Sequence, residues 1–356
     1  MSKQLLVACA SGKPDEVKQL LLDPAVDPNY QNKNGTTALH IACEKGLVEI
    51  IKEMLDDRRV EINKVNKSNA TPFYVACQFG RVEAVRLLFN DKRVEFNEAD
   101  DEGKTPFFVA CEKGIIAIVR MLLYSSKVEI NKVNKNNITP FYVACQNGKI
   151  DIVKLLINDR RINVNRVDSE GQSPLWIACE KGHTEVIKAL LNDKRIEVNT
   201  QRKNGATPLL IASGVGNTEV VKLLLSEEGV DVNISNDDGV SPLIIACYNG
   251  HISVVNYILA SGKDINLNAK YKNGNTALDF ARISGKTNFV ELLEQFQNNP
   301  NLTRSRLKNK LCLIGIFLFY FFIFLFFWIF FKKKFIFFFL FFFLFFFYCV
   351  NRCKFC

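Results

Sequence analysis

Histidine is scarce in this chain: only His40, His183 and His251 occur, far apart in sequence. Proton transfer near neutral pH draws mostly on histidine, so the material for it is thin. The motifs that gather catalytic groups are missing too, with no Gly-x-Ser-x-Gly elbow, no His-Glu-x-x-His helix and no kinase motif set. Gly103-Lys104-Thr105 and Gly285-Lys286-Thr287 imitate the end of a phosphate-binding loop. Such a loop needs an earlier glycine so that backbone N–H groups can close around the phosphates, and Glu98 and Phe280 stand in that place. The expectation is a non-enzyme with no catalytic, cofactor or metal site and no small-molecule substrate.

The body also lacks a charge surplus. Nine basic residues from Arg304 onward, with no acid among them, account for the whole formal charge of +9. The rest is formally neutral, whereas a nucleic-acid-binding body carries basic residues that release counterions from phosphates. No nucleic-acid partner is expected; the surplus flanks an apolar tail and fits a membrane surface. At the N-terminus, MSKQLLVACASGK lacks the apolar core of a signal peptide, so the body is read as cytosolic.

What the chain has is repetition. Gly12, Gly46, Gly80, Gly114, Gly148, Gly182, Gly216 and Gly250 recur every 34 residues, and Gly285 follows at 35. A second series, Thr37, Thr71, Thr105, Thr139, Ser173, Thr207, Ser241 and Thr276, keeps step with it, each followed by Pro or Ala. Nine units result, the first without the Thr-Pro element, as suits a terminal cap. In residues 71–89, TPFYVACQFGRVEAVRLLF, Thr71 caps a helix start, Pro72 fits its first position and Gly80 ends it. Val82, Val85, Leu88 and Phe89 then form the apolar stripe of a second helix, as Val48, Ile51, Met54 and Leu55 do one unit earlier. Helices this short are marginal alone in water, so the units must bury their stripes against neighbours.

The motif Thr-Pro-Leu-x-x-Ala-x-x-x-Gly, followed by Val-x-x-Leu-Leu and Val-Glu-Ile-Asn, resembles the ankyrin repeat and extends over residues 1–297. The resemblance implies an all-α solenoid of stacked helix–turn–helix units with hairpin-like loops. Two departures stand out. The family period is about 33 residues, and each unit here has one more residue in the loop after the second helix, as in NDKRVEFN, residues 90–97. The family's His after Thr-Pro-Leu survives only as His40; Tyr74, Phe108, Tyr142, Trp176, Leu210, Ile244 and Asp279 replace it. Aromatic stacking between units is the expected substitute for the Thr–His bond.

A longer period overlies the shorter one. VEINKVNK occurs at 60–67 and 128–135, TPFYVACQ at 71–78 and 139–146, so units three to six alternate every 68 residues. Similar surface patches two units apart suit an extended or bivalent protein partner. The resemblance places such a partner on the concave face, at hairpin tips and the exposed end of the first helix. Carried onto this chain, those positions are Lys67, Ser68, Gln78 and Phe79 in unit three, and Asp101, Glu102, Lys104, Glu112 and Lys113 in unit four. Unit five supplies Lys135, Asn136, Gln146 and Asn147; unit six supplies Ser169, Glu170, Glu180 and Lys181. Tyr248 joins them, since an exposed aromatic there fits an interface better than it fits solubility.

Cysteine is plentiful, but seven of the eleven, Cys9, Cys43, Cys77, Cys111, Cys145, Cys179 and Cys247, share one repeat position. Packed helices stand about 10 Å apart, too far for a disulfide, and no histidine cluster accompanies them. They read as small buried hydrophobes in a reducing compartment.

The tail differs from everything before it. Residues 298–310 read as a basic linker; Leu311 to Phe331 is then free of charge and, as a helix, matches a bilayer core of about 30 Å. Arg304, Arg306, Lys308 and Lys310 on its N-terminal side keep the repeats cytoplasmic. Past Lys332-Lys333-Lys334, the Phe-rich residues 332–356 hold a run too short for a second full span, leaving a single pass or a hairpin. The expected whole is an interaction scaffold tethered by a C-terminal transmembrane helix at 311–331. The alternative is a soluble cytosolic adaptor whose tail is a misread gene end, since Phe, Lys, Ile, Leu and Tyr share A/T-rich codons. A third reading, the regulatory arm of a channel or transferase, lacks any pore or catalytic motif.

Overall fold

Each inner helix after the first starts on a hydroxyl. At Thr71 the side chain accepts from the Tyr74 N–H at 3.1 Å, and Pro72 takes the first helical position, where no donor is needed. Thr105, Thr139 and Ser173 cap their helices in the same way. Most of the helices are seven to nine residues long, so each exists only because its apolar side is covered.

The structure, a computed structural model, describes residues 1–312. The candidate span at 311–331, Leu311 and Cys312 apart, lies outside the described residues, as does the rest of the tail. Among the described residues there are helices and no strands, and no helix is long and apolar enough to cross a membrane. The chain divides into two compact units, Met1–Ile211 and Ala212 onward.

In the first unit, inner helices Ser2–Ala10, Ala38–Lys45, Pro72–Gln78, Pro106–Lys113, Pro140–Gln146 and Pro174–Lys181 pack side by side. The outer helices Pro14–Leu22, Val48–Asp56, Val82–Asn90, Ile116–Leu123, Ile150–Ile157 and Thr184–Leu191 back them. The same register positions are buried in every repeat. Phe73, Phe107 and Phe141 fill the inner helices, with Val85, Val119 and Val153 and then Leu88, Leu122 and Leu156 opposite, all at 0% exposure. Each such side chain contributes about 1.5–3 kcal/mol by leaving water. Cys9, Cys43, Cys77, Cys111, Cys145 and Cys179 are free and buried, and burial pushes the Cys9 thiol up to about 12. They are unreactive fillers.

Two polar ladders register one repeat on the next. In the first, Asn97 donates to the Lys127 carbonyl at 2.8 Å and accepts from the Glu129 N–H at 2.8 Å. Asn29, Asn63, Asn131 and Asn165 repeat both bonds one repeat apart. In the second, Arg93 grips Asp91 and reaches back to the Leu55 carbonyl at 2.7 Å, an orphan acceptor at the end of the preceding outer helix. Arg59, Arg161 and Arg195 do likewise with Asp57, Asp159 and Asp193. The lengthened loop of these repeats is therefore the device that presents an arginine to its neighbour.

The second unit contains Thr218–Ser226, Pro242–Asn249, Ile252–Ala260, Ala277–Ile283 and Thr287–Asn298, with Pro208–Val215 straddling the division. Asn233 continues the asparagine pattern toward Asp264 and Asn266, and the Lys263 ammonium replaces the arginine by donating to the carbonyls of Glu227, Glu228 and Val230. The segment expected to be a linker is instead helical from 300 to 312. It docks on its own unit: Thr303 and Leu307 are buried, and the Thr303 hydroxyl donates to the Gln295 carbonyl at 2.9 Å. Arg304 lies over the Phe296 ring and donates to the Lys263 carbonyl at 3.1 Å. Reading only polarity missed that its two less polar positions, four apart, share one helical face.

Replacing Asn97 with Ala removes both ladder bonds while stranding the Lys127 carbonyl and the Glu129 N–H, for an expected loss of about 1–3 kcal/mol. A fall in the urea midpoint at unchanged slope checks it. The arginine partners hold Asp57, Asp91, Asp159 and Asp193 below the ordinary value of 3.8, against a smaller opposing effect of burial. A carboxyl depressed in the folded state gives stability that is complete above its unfolded value and lost as pH falls through the folded one. Changing Arg59, Arg93, Arg161 and Arg195 to Gln should flatten the loss of stability below pH 3.8, read by urea titration across the acid range.

Candidate protein-interaction surface

The hairpin tips of repeats three to six are each built around an Asx side chain. Oδ1 of Asp100 accepts from the N–H groups of Glu102 and Lys104, and Asp168 does the same for Glu170 and Gln172. Asn66 and Asn134 organise their tips through the same atom. The turn then needs a left-handed residue, which is Gly103 and Gly171 in two tips but Asn69 and Asn137, at φ 57° and 59°, in the other two. Those two asparagines compensate by donating to the next hairpin, at Ala99 and Val167, both at 2.7 Å.

Successive tips are joined through the backbone. Asp101 donates to the Ser68 carbonyl at 3.0 Å, Lys135 to Glu102 at 3.0 Å and Ser169 to Asn136 at 2.9 Å; Lys67 and Lys203 extend the series to Asn34 and Glu170. The eight expected tip residues, Lys67, Ser68, Asp101, Glu102, Lys135, Asn136, Ser169 and Glu170, thus lie on one bonded edge with their side chains exposed.

Beneath the tips sits the position that the family fills with histidine. His40 keeps the expected arrangement: its ring bonds the Thr37 hydroxyl at 2.8 Å and the Ala70 carbonyl at 2.9 Å. Burial lowers its pKa below the ordinary 6.5, the Ala70 bond opposing that shift. The replacements were expected to stack. Tyr142 and Trp176 do share an apolar cluster with Ile177, yet what takes over from histidine is a hydrogen bond to the next tip. Tyr74 donates to Asp100 at 2.6 Å, Tyr142 to Asp168 at 3.0 Å, and the Trp176 indole to the Ala206 carbonyl at 3.1 Å. Burial and then the facing carboxylate push both phenols up. A buried Tyr or Trp needs a partner for its polar atom, and the next tip supplies one. Phe108, which has no such atom, faces the Lys104 ammonium at 5.9 Å instead.

The expected inner-helix residues differ in exposure, and Asn147 and Lys181 have partners within the chain, the Glu112 carbonyl at 3.4 Å and Glu180 at 3.0 Å. Phe79, Lys113, Asn147 and Lys181 are exposed, while Gln78, Gln146 and Glu180 are half-buried. Lys104 and Glu112 are tied together at 3.0 Å, with Glu102 on the same ammonium at 2.9 Å. Burial works against the Lys104 charge, but the two carboxylates outweigh it and hold its pKa above the usual value. Phe79 keeps 47% of its surface in solvent. Tyr248, in the second unit, is also exposed but leans on Phe280 with centroids 5.5 Å apart. Sequence reasoning missed the Asx anchors and the two ladders. Their signal was the recurrence of Asn63, Asn97 and Asn131, and of Asn66, Asp100 and Asn134, at the same 34-residue interval as the glycines.

Short capped helix pairs, tips bonded edge to edge and exposed tip side chains define a helical repeat protein. Among the described residues no group of acidic, histidine or cysteine side chains could hold a metal ion. A profile of ankyrin repeats, three copies long, matches residues 5–100, 58–134, 118–202 and 194–269. The chain belongs to the ankyrin-repeat family. No curated protein matches it.

Changing Phe79 to Ser should leave stability within about 0.5 kcal/mol, because 47% of its surface is already in solvent. Changing Tyr142 to Phe should cost about 0.5–1.5 kcal/mol by stranding the next tip. Urea unfolding of the two variants gives the comparison; an equal loss for both would place Phe79 in the packing instead of on the free surface.

Proposed function

We propose that the chain is a non-enzymatic scaffold that binds a protein partner along its hairpin tips and inner-helix ends. One observation carries this reading: the tip side chains are exposed while the backbone beneath them is bonded from repeat to repeat. Recognition on such an edge loses little entropy to ordering, the condition under which modest contacts suffice for specific binding. Phe79 supplies an apolar anchor among charged neighbours. The partner is a protein or an extended segment of one; an exposed, solvated edge offers no concave pocket for a small molecule.

The second part of the proposal is location. Residues 311–331 tether the scaffold to a membrane and the repeats stay on the cytoplasmic side. Support comes from the uncharged stretch after Lys310, of bilayer length, and from Arg304, Arg306, Lys308 and Lys310 before it.

Both parts are open to test in the native cell. A photo-crosslinking residue at Ser68 should trap a discrete partner that the same residue at Arg86, on the outer helix, does not; equal trapping at both sites would contradict the binding edge. Fractionation of tagged full-length protein beside a form ending at Lys310, which keeps most of the docked helix, tests the tether. Full-length protein in the membrane fraction and the shorter form in the soluble fraction is the expected result. Two soluble forms would remove the tether and leave the soluble adaptor.

A further inference from the structure

The tip edge alternates in sign. The fourth repeat presents Asp101 and Glu102, the fifth Lys135, the sixth Glu170 and the seventh Arg202 and Lys203. Within one chain this order spares each tip like-charge repulsion from its neighbours. It has a second consequence, because an alternating row is its own complement when reversed.

We propose, resting on the binding edge assigned above, that this edge pairs with a second copy of the chain in antiparallel fashion, about a two-fold axis between the fifth and sixth tips. Asp101 and Glu102 of one copy then meet Arg202 and Lys203 of the other, and Lys135 meets Glu170, with every pair made twice. A two-fold interface demands this self-complementarity. In a parallel, in-register pair the same residues meet their own sign, so the charges also select the orientation.

Three observations support the proposal. The charges remain exposed: the side chains of Glu102, Glu170 and Lys203 keep 71%, 56% and 66% of their surface; Glu102 also holds the Lys104 ammonium at 2.9 Å, and the pairing of Lys203 with Glu170 within the chain is loose, at 3.8 Å. The charges are held in place, since Lys135 and Lys203 donate through their backbone to the preceding tips and Arg202 lies over the Trp176 ring at 5.2 Å. Finally, the screening length of ~8 Å at physiological salt confines each charge to what lies beside or facing it, and the loose 3.8 Å pair lets Glu170 and Lys203 exchange that neighbour for a facing tip.

The test uses the full-length chain in a nonionic detergent, followed by sedimentation equilibrium. The wild type should self-associate at low salt and dissociate at about 1 M salt, where the screening length falls to ~3 Å. One variant carries Lys135→Glu and Lys203→Glu, the other Glu102→Lys and Glu170→Lys. Alone, each should associate at least about tenfold more weakly, because the fifth and sixth tips then face their own sign. Mixed in equal amounts, the two should associate again, since every tip of one meets an opposite or neutral tip of the other. Recovery in the mixture also shows that both variants fold. A wild type that stays monomeric at low salt would overturn the proposal. So would association that ignores salt and both variants, which assigns it to the tail, or variants whose mixture fails to recover.

Discussion

An asparagine side chain that donates to one strand of backbone and accepts from it two residues later is the joint on which this fold turns. Asn97 does this toward Lys127 and Glu129, and the same amide bridges recur along the first unit. None of the described helices has the length to persist by itself, so the helix pairs depend on what they share with their neighbours. Burial of the phenylalanine, valine and leucine columns supplies most of the energy, but apolar contact is tolerant of small shifts. The amide bridge is not, because a misplaced repeat leaves a carbonyl and an N–H unpaired. The arginine of the lengthened loop adds a second constraint at the same place: Arg93, whose carbonyl accepts from Asn63, also ties Asp91 to the end of the previous outer helix.

The alternation over two repeats has a physical basis in the same junctions. Tyr74 and Tyr142 belong to odd repeats, and the acids that accept from them, Asp100 and Asp168, belong to the even repeats that follow. Phe108 lies below Asn134, where no hydroxyl needs an acceptor. A tyrosine repeat thus calls for an acidic tip next in line, and exchanging single repeats would break the match. Duplication of repeats in pairs preserves it, and the alternating charge of the tips comes with it.

Much of the fold was legible because it rests on local chemistry. Thr71, Pro72 and Gly80 declare a helix start and stop within ten residues of one another, and the 34-residue recurrence declares the stacking. The bonds between repeats were less legible. Asn97 and Arg93 resemble ordinary loop residues until their partners in the neighbouring repeats, 30 to 38 residues away, are placed beside them. The expectation of ring stacking weighed the apolar body of Tyr74 and Trp176 and neglected the polar atom of each, which bonds the next tip. The segment after Asn298 was taken as a linker because Arg304 and its basic neighbours dominate its composition, yet Thr303 and Leu307 place two buried groups on one helical face. At the candidate surface, the tips were found by resemblance, while their fixed spacing became visible only through the backbone bonds between them.

Rigidity of the tip edge is the claim on which the binding role rests. Amide hydrogen exchange at Asp101, Lys135 and Ser169 measures it directly, since these N–H groups sit at exposed tips yet donate to the preceding tip. The account predicts exchange slowed to the rate at which neighbouring repeats separate, far below that of a free loop. Exchange at the rate of an unstructured chain at these three positions would contradict it.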